Sequence, residues 1–270
     1  MQYGFIKDEI LPEDYIFGGG QIIADILQPA GQWDEFLPPE ELQNLNGIEI
    51  FACVSFGTLN ALEILLRRVL GQVDNFSDRY LAFISGTKGK TGNSPHVVAE
   101  ILRKAGDVRQ LDWDFTPDIN TYDKFYETPP SYLAVFAERF LDEYDFKHDY
   151  VPANPEAMKE ALKYSPLGFS VTAWTKDNDG FYYSIGANNH WVVCYGYEEN
   201  KYWKIYDSYS NDGTNLKKVR WDSLPEVCKR YSVGKITIHS KQTTFDLIVD
   251  KIRSAILLIQ EQLKLWQKTS

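Results

Sequence analysis

Cysteine is scarce in this chain. Three residues in 270, Cys53, Cys194 and Cys228, are too few and too scattered for a disulfide framework. Their odd number leaves at least one thiol unpaired, and no CxxC pair points to zinc. Basic charge is also short: Lys+Arg 28 against Asp+Glu 38 gives a net charge of −10. That balance argues against a nucleic-acid backbone or an anionic membrane surface, so neither partner is expected. No apolar run approaches the length of a spanning helix. The opening residues MQYGFIKDEILPEDY carry acids where a signal peptide has a basic end and an apolar stretch, so a cytoplasmic location is expected. Repeats and low-complexity tracts are missing too. What remains is an ordinary globular composition, 44% hydrophobic and 24% charged, long enough for one large domain or two lobes.

Residues 1–46 read as irregular, punctuated by Gly18-Gly19-Gly20, Pro29, Gly31 and Pro38-Pro39. From Cys53 to Leu70 the apolar residues fall at helical spacing, and Gly71 stops them. Ser94-Pro95 announces a second helix closed by Gly106, Ser131 to about Tyr144 a third, and Asn154-Pro155-Glu156 a fourth that ends before Pro166. The period then drops to two. Segments 168–174, 190–197, 202–209 and 234–239 are rich in aromatic and β-branched residues and predict strands. Residues 245–266 close the chain with an amphipathic stripe, Phe245, Ile248, Ile252, Ile256, Ile259, Leu263 and Trp266. Helices first, strands second and a closing helix make an α+β, two-lobed class.

Three residues carry candidate chemistry. Cys53 stands at the start of a long apolar helix, where the positive end of the helix dipole favours thiolate. FACVSF, apolar around the sulfur, more often marks a buried core thiol. His190 opens a strand, and Asp207, 17 residues later, ends the next one, YWKIYD. Adjacent antiparallel strands joined by a short turn place the start of one beside the end of the other, so His190 and Asp207 are expected to be neighbours. A carboxylate beside an imidazole fixes its tautomer and stabilises its charged form, as a nucleophile–base pair requires. An ordinary structural His–Asp pair has the same signature.

In order and spacing, the segments resemble papain-like cysteine peptidases, in a divergent bacterial or phage-type form. FACVSFGTLNALEIL is similar to the family's nucleophile helix, and NHWVVCYGYEENKYWKIYDSY to its His strand and Asn-Ser-Trp segment. GNSPHVVAEILRKAGDV resembles its Gly-rich turn and second helix, and NPEAMKEALKYSPLGFSVTAW the helix leading into the β lobe. The resemblance implies a catalytic domain over 33–241, with a helical lobe at about 41–145 and a β lobe at about 146–241. An N-terminal segment, 1–32, and a C-terminal helix, 242–270, flank it.

The resemblance also implies roles. Cys53 is the nucleophile, His190 the base and Asp207 the orienting residue, in the place of the family's Asn. A carboxylate accepts the imidazole N–H at least as well. Tyr209 stands where a Trp usually shields that bond. The family's oxyanion Gln lies six residues before the Cys, where this chain has Gly47; Gln43, ten residues before, is the nearest candidate. Gly92, Asn93 and Ser94 correspond to the turn whose backbone pairs with an extended peptide, the strand-addition mode of recognition. Asn189 and Tyr209 complete the expected substrate-binding set. As a bland alternative, Gly92–Pro95 is simply a capping turn.

The implied activity is peptide-bond hydrolysis on a peptide or protein substrate without metal or cofactor. With 52 residues ahead of Cys53, the family's long inhibitory propeptide is not expected. Two alternatives stand beside it: a weakly active or inactive structural or assembly protein on the same fold, including a virion-associated one, and a cysteine acyltransferase or peptidoglycan amide hydrolase. Host-cell cytoplasm or a virion is the expected location if the source is viral. Ser85–Thr91 resembles the tail of a phosphate-binding loop, but Ile84 occupies its first Gly position and the helix starts too late for the amides to converge. The C-terminal stripe lacks the basic bias that anionic lipid selects, so it is expected to pack on the body, on a protein partner or on a second copy.

Overall fold

Local signals and the helices they announce coincide along the first half of the chain. Helix α1 (Cys53–Leu70) ends at Gly71, whose φ of 64° lets its N–H reach the Arg67 and Leu66 carbonyls. Helix α2 (Asp78–Ile84) is capped by Ser77, and α3 (Pro95–Ala105) by Ser94, with proline in its first turn and Gly106 after it. Helix α4 (Tyr122–Phe125) is a single turn; α5 spans Tyr132–Glu143. Strand β1 (Tyr144–Tyr150) follows α5 directly, and α6 (Pro155–Leu162) is capped by Asn154. The sequence did not announce α2, α4 or β1. The two helices hold too few turns to show a period, and β1 keeps only Tyr144, Phe146 and Tyr150 inside among charged neighbours.

The computed structural model describes residues 4–12, 14–19, 25–87, 90–210, 213–236, 249, 252 and 253. The chain divides after Ile236 into two units. The C-terminal helix expected over 242–270 falls in the second and, apart from 249, 252 and 253, where the backbone is helical, lies outside the described residues.

The remaining strands are β2 (Leu167–Val171), β3 (Thr175–Lys176), β4 (Tyr182–Tyr183), β5 (His190–Glu198), β6 (Tyr202–Tyr206), β7 (Leu216–Arg220) and β8 (Cys228–Lys235). With β1 they form one eight-stranded sheet in the order β1-β8-β2-β5-β6-β7-β4-β3. Its pairs are antiparallel except β4 with β7. Strands β3, β4 and β7 were not expected, and three of the four expected strands differ in extent. That at 168–174 stops at Val171, so Trp174 turns off the sheet; that at 202–209 stops at Tyr206; and the last runs over Cys228–Lys235 rather than 234–239.

The apolar face of α1 lies across β5, β8 and β2. Leu59, Leu62, Leu65 and Leu66 are buried in one cluster with Phe169, Trp191, Val193 and Tyr231, each such side chain contributing about 1.5–3 kcal/mol by leaving water. The crossing is close because Gly57 has no side chain: a Cβ there would stand 2.7 Å from Trp191 Cδ1. This approach brings the first residue of α1 against the first residues of β5.

Residues 4–6 and 15–17 are not merely irregular. Phe17 and Tyr15 exchange backbone hydrogen bonds with Tyr150, at 2.7 and 2.8 Å, and residues 4–6 bond to Asn93. Among the described residues no helix is long and apolar enough to cross a membrane, and no group of three or more His, Cys, Asp or Glu is placed to hold a metal ion.

Candidate active site

Two strand ends and a helix start build the site. The β5–β6 hairpin pairs Val193 with Tyr206, so that register carries Asp207, following β6, opposite Val192 and leaves His190, two residues before Val192 on the same face, as its diagonal neighbour. His190 Nε2 lies 2.7 Å from Asp207 Oδ1, and both side chains are buried. The expected juxtaposition is present. Because Nε2 is engaged by the carboxylate, Nδ1 is the ring nitrogen on the opposite edge.

Cys53 is buried at the first position of α1, where the backbone N–H groups of Val54 and of Trp191, the residue after His190, favour its thiolate. Burial pushes the thiol well above its ordinary range, the Glu49 and Asp207 charges push the same way, and the Trp191 and Val54 N–H groups oppose them. The helix start was expected to lower it, and in this closed state it does not. A helix terminus contributes at most about 2 kcal/mol, whereas taking an ion out of water costs several. The turn into the helix is strained: Phe51 holds φ at 58°, which costs a residue with a side chain about 1–3 kcal/mol.

Gln43 is brought to the same place. Its side-chain amide donates to Ser208 Oγ at 2.9 Å and its backbone N–H to the Ser208 carbonyl at 3.0 Å, one residue beyond Asp207. Tyr209 lies edge-on to the His190 ring, centroids 5.5 Å apart at 79°, and its hydroxyl donates to Glu49. Burial alone would raise the Asp207 carboxyl, but the charges and hydrogen bonds of His190 and Lys217 hold it below the ordinary carboxylate range.

Two residues of this cluster escaped the sequence reading. Trp174 donates its indole N–H to Asp207 Oδ2 at 2.9 Å and stands edge-on to His190, 5.8 Å away at 84°. Lys217 Nζ lies 3.1 Å from the same oxygen. The signal for Lys217 was present: β7 reads Leu-Lys-Lys-Val-Arg, and alternation that buries Val219 must also bury Lys217.

The expected substrate-binding residues have other work in this state. Ser94 Oγ caps α3 through the Val97 N–H at 3.1 Å. The Asn93 amide turns inward to Ser85 and Thr87, and Asn189 Oδ1 accepts the Ala173 N–H at 2.9 Å. The backbone edge at Asn93 is already paired. Asn93 N–H donates to the Gly4 carbonyl and Ile6 N–H to the Asn93 carbonyl, both at 2.9 Å, in a parallel bridge centred on Phe5. A Cβ on Gly92 would stand 1.7 Å from the Gly4 oxygen, and one on Gly4 2.2 Å from the Phe51 oxygen. The Phe5 ring is stacked on Trp191 at 5.8 Å and 5°. A cavity of about 560 Å³ opens between the N-terminal segment, α3 and β1, and none of the expected site residues lines it.

No protein-family model and no curated protein matches the sequence. Solved structures do. The bromelain protease from Ananas comosus in complex with the E64 inhibitor is similar over 74% of this chain and 97% of its own, at 15% identity and a TM-score of 0.54. The Carica candamarcensis cysteine protease CMS1MS2, also in complex with E-64, matches over 74% and 96%, at 16% identity and a TM-score of 0.56. The cysteine protease and lectin-like domains of Cwp84, a surface layer associated protein of Clostridium difficile, match over 75% of this chain and 50% of theirs, at 15% identity and a TM-score of 0.61. The architecture is therefore the α+β, two-lobed papain-like fold.

Proposed function

We propose that this protein is a papain-like cysteine hydrolase that cleaves peptide bonds. The observation that supports it best is the buried 2.7 Å contact of Asp207 with His190 Nε2, with the Cys53 thiol at the start of α1 close enough to feel the Asp207 charge and the N–H of Trp191, the residue after His190. Cys53 gives its proton to His190 Nδ1 and the thiolate attacks the carbonyl carbon. The oxyanion is held by the Cys53 backbone N–H and the Gln43 amide. The C–N bond breaks as His190 protonates the amine, leaving a thioester. His190 then takes a proton from water, hydroxide adds, the C–S bond breaks and a carboxylic acid leaves. Gly92 and Asn93 would pair with the peptide backbone once Gly4–Ile6 are displaced. In the state described the thiol is covered, so a substrate must open the site first.

That covering also favours a second reading, a catalytically silent papain-fold protein with a structural role. Labelling with an epoxysuccinyl thiol inhibitor, located by peptide mass mapping, separates the two. As a hydrolase the protein is labelled at Cys53 far faster than at the equally buried Cys194 and Cys228, and His190→Ala abolishes the difference. Labelling no faster at Cys53 than at the other two thiols overturns the proposal.

A further inference from the structure

Asp207 differs from a neutral amide by one full negative charge, and the structure places a compensating charge beside it. Lys217 and Asp207 side chains are 1% and 0% exposed. All three ammonium donors are engaged: Asp207 Oδ2 at 3.1 Å, the Tyr209 carbonyl at 2.7 Å and the Thr214 carbonyl at 3.0 Å. One amine thus pins the acid and the backbone of the tyrosine that covers His190. The Trp174 indole shares Oδ2 and stands with its ring 5.5 Å from Nζ. Among the described residues, the other titratable groups around the pair include Cys53 from α1, Glu49 and Tyr209 joined by a hydrogen bond, Tyr126 after α4 and Tyr182 from β4.

Stability alone gives little reason for such a pair. Exchanging a buried ion pair for apolar side chains of the same volume is often neutral or stabilising. The chemistry does give one. In a buried site an uncompensated carboxylate on Nε2 strongly favours imidazolium, and a ring locked in that form cannot take the Cys53 proton.

We infer that Lys217 is a positioning residue of this site: its ammonium offsets the Asp207 charge, so that a carboxylate performs the task of a neutral acceptor, orienting His190 without fixing a positive charge on it. The role rests on the hydrolase reading, which assigns His190 as base, but its electrostatic part is measurable without catalysis.

The test is an NMR titration of the His190 ring in the wild type, Lys217→Met and Asp207→Asn/Lys217→Met, each repeated with Cys53→Ala, alongside the pH profile of Cys53 alkylation. In Lys217→Met the ring holds its proton to higher pH, its midpoint rising by about one unit or more. Removing both charges brings the midpoint back toward the wild type, and the alkylation profile moves in parallel. If Lys217→Met does not fold, the double variant is compared with Asp207→Asn, which strands the ammonium; the double variant is then the better folded and the closer to wild type. A midpoint indifferent to Lys217, or a double variant as perturbed as the single ones, overturns the inference. Failure of the hydrolase reading shows separately, as absent Cys53 labelling in a wild type whose ring still responds to Lys217.

Discussion

The Phe5 ring lies parallel to the Trp191 indole at 5.8 Å, and Trp191 is the residue whose backbone N–H favours the Cys53 thiolate. One aromatic contact therefore ties Phe5 to the strand that His190 opens. The segment runs parallel to Asn93 and bonds to it on both sides. Shortening the side chain, Phe5→Ala, or removing residues 1–6 is expected to raise the rate of Cys53 alkylation by about tenfold, the effect of losing roughly 1.4 kcal/mol of closure. Rates measured under pseudo-first-order conditions decide it. An unchanged rate means that the thiol is reached by another path.

The proposed roles of Gln43 and Cys53 are separated by the choice of reagent. An epoxide needs the thiolate but no oxyanion site, whereas amide and ester hydrolysis needs both. Gln43→Ala is expected to lower kcat on a peptide amide by about 10²–10³ while leaving epoxide labelling nearly unchanged. Equal losses in both would assign Gln43 to holding Ser208 in place rather than to the oxyanion.

Gly57 permits the crossing of α1 over β5. The Cβ of Gly57→Ala meets the indole at 2.7 Å, and overpacking of this kind costs about 1–3 kcal/mol. Urea unfolding is expected to show that loss. Because the displaced residues carry Cys53 and His190 at their ends, labelling slows in the same variant. A fully stable, fully reactive variant would mean that the helix and strand separate freely.

Four acids, Glu63 on α1, Asp78 at the start of α2, Glu41 and Asp107, are gathered together and influence one another. Burial raises all four, Glu41 to about 7 and the others well above the carboxylate range. A folded value above the unfolded one, near 4, means that the folded chain binds more protons between the two. Their contribution to stability is complete below the unfolded value and is lost as pH rises through the folded one. Unfolding free energy is therefore expected to fall between pH about 5 and about 8, by up to about 1.4 kcal/mol per pH unit for each proton held. Asp78→Asn flattens the slope. Glu100 acts with the opposite sign: Arg103, Lys104 and His148 depress it, so its contribution is present above its unfolded value and lost as pH falls through its folded one. Urea midpoints across pH test both limbs, and a midpoint that climbs steadily from weak acid to weak base contradicts the first.

Much of this molecule was legible before any coordinates. The apolar period from Cys53 to Leu70, the Ser94-Pro95 and Asn154-Pro155 starts and the Gly71 and Gly106 stops are local, and a helix needs little else to declare its ends. The nearness of His190 and Asp207 was legible for a related reason, since a short turn between antiparallel strands dictates which residues face each other. Even Lys217 was marked, by an alternation that leaves a charge on an inward position.

What that charge meets was decided only in three dimensions, because Lys217, Trp174 and Asp207 converge from separate strands and loops. The pairing of residues 4–6 with Asn93 was equally invisible. It is made by backbone groups, which every sequence carries alike. The direction of the Cys53 shift belongs to the same class. A helix start is written in the chain, but desolvation depends on everything packed around the sulfur, and here it is the larger effect.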